Sequence, residues 1–116
     1  MKQTLLSFLL SLLPIVASAD AVEIDGIYYN LIPKGKIAEV TRGPNEYSGD
    51  VVIPETVVYN TVDYDVTKIG SGAFSDQYSI TSVTIPKSIT TIDGTAFLYF
   101  SDNTSLNKIY ITTSVS

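Results

Sequence analysis

The segment Val66-Thr67-Lys68-Ile69-Gly70-Ser71-Gly72-Ala73-Phe74 returns 23 residues later as Ile89-Thr90-Thr91-Ile92-Asp93-Gly94-Thr95-Ala96-Phe97. Ile69 falls over Ile92, Ala73 over Ala96 and Phe74 over Phe97. A second match follows each Ala-Phe pair: Ile80-Thr81-Ser82-Val83-Thr84-Ile85 recurs as Leu106-Asn107-Lys108-Ile109-Tyr110-Ile111, now 26 residues on. An upstream relative, Val51-Val52-Ile53-Pro54-Glu55-Thr56-Val57, overlays Val83-Thr84-Ile85-Pro86-Lys87-Ser88-Ile89. A unit of this size cannot bury its own apolar face. It must stack on its neighbour, and fixed self-similarity at about 20 to 30 residues therefore points to a solenoid.

The residues of one unit show how it stacks. Val83 and Ile85 alternate with Ser82 and Thr84, the period of a strand with one buried and one wet face. Pro86 has no amide hydrogen for a ladder and ends that strand. Ile89, Ile92 and Phe97 follow at spacings that suit no long helix, and Ala73 and Ala96 stand where a larger side chain would collide with the neighbouring coil. Upstream, residues 24–31 and 37–40 flank a turn at 33–36 and read as a hairpin, after which Arg42-Gly43-Pro44-Asn45 breaks the chain. Residues 58–65 alternate around Asn60-Thr61 as a second hairpin. The expected fold is mainly β: an N-terminal β-hairpin cap over residues 20–48, covering the open end that such arrays must protect, and repeats over 49–116. Counting 26 on from Ile92 passes Ser116, so about two repeats and a truncated third are expected, with no polar cap after them.

These residues resemble the BspA-like leucine-rich repeat family, whose unit runs roughly strand, Ile-Pro, x-x-Val-Thr-x-Ile-Gly, x-x-Ala-Phe. Ser82-Val83-Thr84-Ile85-Pro86-Lys87-Ser88-Ile89-Thr90-Thr91-Ile92-Asp93-Gly94-Thr95-Ala96-Phe97 is one complete unit, and the likeness covers about residues 49–116. It implies a leucine-rich-repeat solenoid of the kind found in bacterial surface antigens and adhesins. Three departures stand out. Asp93 replaces a glycine, which is expected to weaken the second turn; Gln77 stands where the family often has a buried cysteine; Thr112 stands where Pro86 would recur, which leaves the last unit in question.

Laying the strands over one another predicts two outward columns, Asp50, Ser82 and Lys108 in one and Val52, Thr84 and Tyr110 in the next. These six are the candidate binding residues, because solenoids bind partners on such strand-lined faces. Ordinary wet β positions carry the same residue types, since Thr and Tyr are favoured there on propensity alone. The eight tyrosines could also supply contact area, with Tyr59, Tyr64 and Tyr110 best placed, although packing accounts for tyrosines in strands equally well.

Residues 1–19 read as a secretory leader: Lys2, an apolar run over 5–16 interrupted by Pro14, and Ala17-Ser18-Ala19 as a cleavage site. The run is shorter than the ~20 residues that span a bilayer, so no stable membrane span is expected after cleavage, and the product is expected to be secreted or held at the cell surface. Removing Lys2 leaves six Lys and Arg against twelve Asp and Glu, a formal charge of −6. Nucleic acid and anionic lipid need clustered cations, so neither is an expected partner. The chain has no Cys and no His, which removes disulfides, the commonest general base and the commonest transition-metal ligand. Asp63 with Asp65, or Asp20 with Asp25, lacks the dense oxygen spacing of a calcium loop. No metal, cofactor or enzymatic activity is expected, and the Asn103-Thr104-Ser105 sequon reads as a loop. The expected function is an exported, non-enzymatic module for binding a host or cell-surface protein or glycan. The alternative is a structural N-terminal fragment of a longer array that self-associates through its uncapped end.

Overall fold

The structure, a computed structural model, describes residues 21–98 and 108–112. The leader, the Asn103 sequon and the first two residues of the last duplicated strand lie outside them. Among the described residues every regular element is a strand: β1 (Val22–Ile24), β2 (Ile27–Ile32), β3 (Ile37–Thr41), β4 (Ser48–Val52), β5 (Thr56–Tyr59), β6 (Val62–Ile69), β7 (Ser79–Ile85), β8 (Thr91–Ile92) and β9 (Lys108–Ile111). They form two sheets, one ordered β1-β2-β3-β6-β5 with β8 also joined to β6, the other ordered β4-β7-β9.

The parallel pairs carry the repeat. Lys68 pairs with Thr91 and Ile69 with Ile92, at the 23-residue offset of the Ala-Phe copies. Val83 pairs with Ile109 at the 26-residue offset, and Val51 with Val83 as in the upstream overlay. Each inter-strand register thus equals the spacing at which the sequence matches itself. Stacking requires this, because a slip of one residue would turn every buried side chain of a strand outward. The inward positions Val51, Ile53, Val66, Ile69, Val83 and Ile85 accordingly join one buried cluster between the two sheets.

The coils approach most closely at the Ala-Phe pairs. Ala73 and Ala96 are fully buried, and the Phe74 amide donates to the Ala96 carbonyl at 2.8 Å. The phenylalanines stack, with Phe74 and Phe97 centroids 5.3 Å apart. On the other side of Phe74, Tyr47 lies at 5.3 Å and is followed by Tyr28, 5.8 Å from Tyr47. Tyr47 therefore stands in the first coil where phenylalanine stands in the next two. β3 likewise runs parallel to β6, and the Gly70 amide donates to the Val40 carbonyl at 2.7 Å. The second arm of the N-terminal hairpin is thus a rung of the repeat ladder, and the 48/49 boundary falls inside β4.

The expected hairpin at Asn60-Thr61 is present. Tyr59 pairs with Val62, and both turn residues have positive φ, 49° and 65°, as a type I′ turn requires. The expected single strand over 24–31 is not. Asp25 and Gly26, at φ 50° and 87°, form a second such turn that divides it into β1 and β2, with Ile24 opposite Ile27. Asp-Gly between alternating apolar residues is a strong hairpin signal; the run Ile27-Tyr28-Tyr29 masks it by continuing the apolar pattern.

The three departures from the family pattern are accommodated. The Asp93 carboxylate accepts from the Thr95 amide at 2.8 Å and the Thr95 hydroxyl at 2.7 Å, so it closes an Asx turn where weakening was expected. Those bonds hold its pKa below the usual carboxylate value. In the first copy a Cβ at Gly70 would lie 2.8 Å from the Glu39 carboxylate, the far end of a side chain that would have to shift. Gln77 is buried but satisfied, accepting from the Tyr47 amide at 2.7 Å and donating to the Ser75 carbonyl at 3.3 Å. Thr112, unlike proline, has an amide to give, and it donates to the Ile85 carbonyl at 2.9 Å. The last strand is formed.

Candidate strand-face site and the groove beside it

The outer face of β4-β7-β9 arises from simple alternation: with Val51 and Val83 turned into the core, Asp50, Val52, Ser82 and Thr84 must turn out. The structure brings all six expected residues into register, Asp50 opposite Ser82 opposite Lys108 and Val52 opposite Thr84 opposite Tyr110. The first column is partly self-satisfied. One Asp50 oxygen accepts from the Ser82 hydroxyl at 2.7 Å and the Thr81 hydroxyl at 2.9 Å. These bonds, Ser82 first, lower the Asp50 pKa and keep the carboxylate ionised and oriented. The second column is amphipathic. Val52 is 60% exposed and Tyr110 49% exposed, with half-buried Thr84 between them. The face offers oriented acceptors, one aromatic ring and apolar contact, which suits recognition.

The tyrosines divide by location. Tyr64 packs in the core, Tyr59 and Tyr110 are exposed, and Tyr28, Tyr29 and Tyr47, which no local pattern marks, are buried together. The Tyr47 hydroxyl donates to the Thr41 carbonyl and accepts from the Tyr28 amide at 3.1 Å; burial pushes its pKa up to about 12. Tyr29 is 1% exposed, and its hydroxyl has no hydrogen-bond partner among the described residues. Burial raises its pKa strongly, with further contributions from Tyr47 and Asp25.

Tyr29 lines a groove that the sequence did not reveal, because one wall, Val52 to Val57, belongs to the repeat while the other comes from the N-terminal hairpin, and no local pattern joins the two. It lies between the Asp25-Gly26 turn and β4, and it consists of two adjoining cavities of about 430 and 420 Å³ that share Asp25, Ile27 and Val52. Among the described residues no three acidic side chains converge as cation ligands, and no helix is long and apolar enough to cross a membrane.

The family profile described as "BspA type Leucine rich repeat region (6 copies)" matches residues 55–116, more than half of the chain. A comparison with the curated proteins found no match. Among solved structures, a leucine-rich repeat protein from Bacteroides ovatus ATCC 8483 is similar at 32% identity and a TM-score of 0.68, over 82% of this chain and 24% of that one. A leucine-rich repeat protein from Bacteroides capillosus ATCC 29799 is similar at 29% identity and 0.65, over 80% of this chain and 66% of that one. A leucine rich cell surface protein from Faecalibacterium prausnitzii A2-165 is similar at 29% identity and 0.61, over 78% and 23%. The chain thus spans about two thirds of one of these relatives and about a quarter of the other two.

Proposed function

We propose, from the premise that this chain belongs to the BspA-type leucine-rich repeat family, that it is an exported, non-enzymatic recognition module that holds a host or cell-surface protein or glycan against the strand face of β4-β7-β9. The observation that carries the reading is the pair of in-register columns, which set Asp50 and Ser82 beside Val52, Thr84 and Tyr110 on one rigid surface. Export is supported by the leader-like residues 1–19 and by the Faecalibacterium relative, whose name is that of a cell surface protein. The test is a binding screen against extracellular-matrix proteins and glycans, repeated with Lys108→Ala/Tyr110→Ala. A bound ligand is expected to lose at least about fivefold in affinity, since an aromatic hot spot typically contributes more than ~1 kcal/mol. Undiminished binding in the double variant removes this face.

A second reading, self-association through the β8 and β9 end, rests on Ile92, Ile109 and Ile111, which the described residues leave 43%, 42% and 64% exposed. An apolar strand edge of this kind templates pairing. Concentration-dependent mass in light scattering is the expected result, and a monodisperse monomer excludes it.

A further inference from the structure

We propose that the groove between the Asp25-Gly26 turn and β4 binds an extended, lysine- or arginine-bearing peptide segment of a partner, laid along β4 as an added strand. Four observations converge there. First, β4 is an edge strand, paired among the described residues with β7 alone. The Ile53 amide donates to the Thr84 carbonyl across that pairing. Alternation along the strand then turns the main-chain groups of Asp50 and Val52 the other way, toward the groove, as strand addition requires. Second, among the described residues the lining carries Asp25, Glu46 and Asp50 and no Lys or Arg. A second copy of this acidic chain, formally −5, would bring like charge to the groove, whereas a basic segment complements it.

Third, Tyr29 lines this groove, and its buried hydroxyl has no partner among the described residues. A buried hydroxyl left unbonded is destabilising, and a ligand amide, guanidinium or carbonyl would supply the missing bond. Fourth, Val52 and Val58 line the same hollow at 60% and 59% exposure, with Val57 and Pro54 beside them, so one apolar ligand side chain has a seat. The three carboxylates do not converge, which fits cations spaced along a strand. Sugars are recognised on exposed aromatic faces, and the two tyrosines lining the groove, Tyr29 and Tyr47, are both buried. Lys108 and Tyr110 lie two strands away on β9, so the groove stands independently of that part of the strand face.

The experiment titrates the full chain into a fluorescein-labelled alternating Lys-Val octapeptide, with Glu-Val and Ser-Val octapeptides of equal length as comparisons, and reads anisotropy. Saturable binding of Lys-Val is expected, weakened by 0.5 M salt as for any exposed charge pairing, with Ser-Val about tenfold weaker and Glu-Val not bound. Asp25→Asn/Glu46→Gln keeps the turn, since Asn accepts positive φ, and is expected to lose about tenfold in affinity. Tyr29→Phe, with its fold verified by circular dichroism, is expected to lose about fivefold. Lys108→Ala/Tyr110→Ala is expected to bind Lys-Val unchanged. The proposal is overturned by no saturable binding at millimolar peptide, by equal binding of Glu-Val and Lys-Val, or by undiminished binding in Asp25→Asn/Glu46→Gln. It is also overturned if a neutral oligosaccharide such as cellohexaose displaces the peptide, or if only the β9 double variant loses binding, which would place the peptide on the strand face.

Discussion

Phe74→Ala is expected to lower the unfolding free energy by about 3–5 kcal/mol, the usual range for removing a fully buried aromatic ring. Phe74 is completely buried and lies between Tyr47 and Phe97, each 5.3 Å away. Its loss would open a void in the middle of the aromatic column that joins the three coils. The Phe74 amide also spans to the Ala96 carbonyl, so the gap has little freedom to collapse. A domain of this size is stable by only about 5–15 kcal/mol, so the variant loses a large share of its stability. Urea denaturation followed by circular dichroism gives the measurement, with Phe74→Leu as a milder comparison. A change below about 1 kcal/mol would show that the column is not what holds the coils together.

Gly43→Ala is expected to destabilise by about 1–3 kcal/mol, through overpacking. A Cβ at position 43 would come within 2.4 Å of the Tyr28 ring. That ring cannot swing aside. It packs at a tilt against Tyr47 with centroids 5.8 Å apart, its hydroxyl accepts from the Asn45 side chain at 3.2 Å, and its own amide is held by the Tyr47 hydroxyl at 3.1 Å. The decisive comparison is a double-mutant cycle. In a Tyr28→Ala background the added methyl has room, and Gly43→Ala should then change stability by less than about 0.5 kcal/mol. Equal effects in both backgrounds would place the strain elsewhere.

Much of the repeat was legible because its determinants are local and periodic. Ile69 over Ile92 and Val83 over Ile109 in the sequence became neighbours in the sheets, and Pro86 ended β7 as its missing amide demands. The Asn60-Thr61 turn was legible from alternation alone. The Asp25-Gly26 turn was obscured because Ile27, Tyr28 and Tyr29 are all buried, so the strand that follows lacks the alternation that would mark its start. The six strand-face residues were found with their register. The groove was not, because Val52 belongs to the repeat while Asp25, Tyr29 and Glu46 come from the N-terminal segment, and no local pattern joins the two.

What the sequence determined by itself was the stacking register, since self-matches 23 and 26 residues apart fix which apolar positions of successive strands meet. It also set the one-sided burial of the strands and the close approach of coils at Ala73 and Ala96. Only the tertiary structure decided how the N-terminal hairpin joins the array. No Ala-Phe pair precedes residue 73, yet β3 pairs with β6 and Tyr47 completes the aromatic column. A ring of similar size can fill the same layer from a different backbone position, so the packing is preserved where the sequence pattern is lost. The same holds for Gln77, whose burial depends on an amide 30 residues away. Contacts of that range follow from which surfaces are brought together, and local pattern does not encode them.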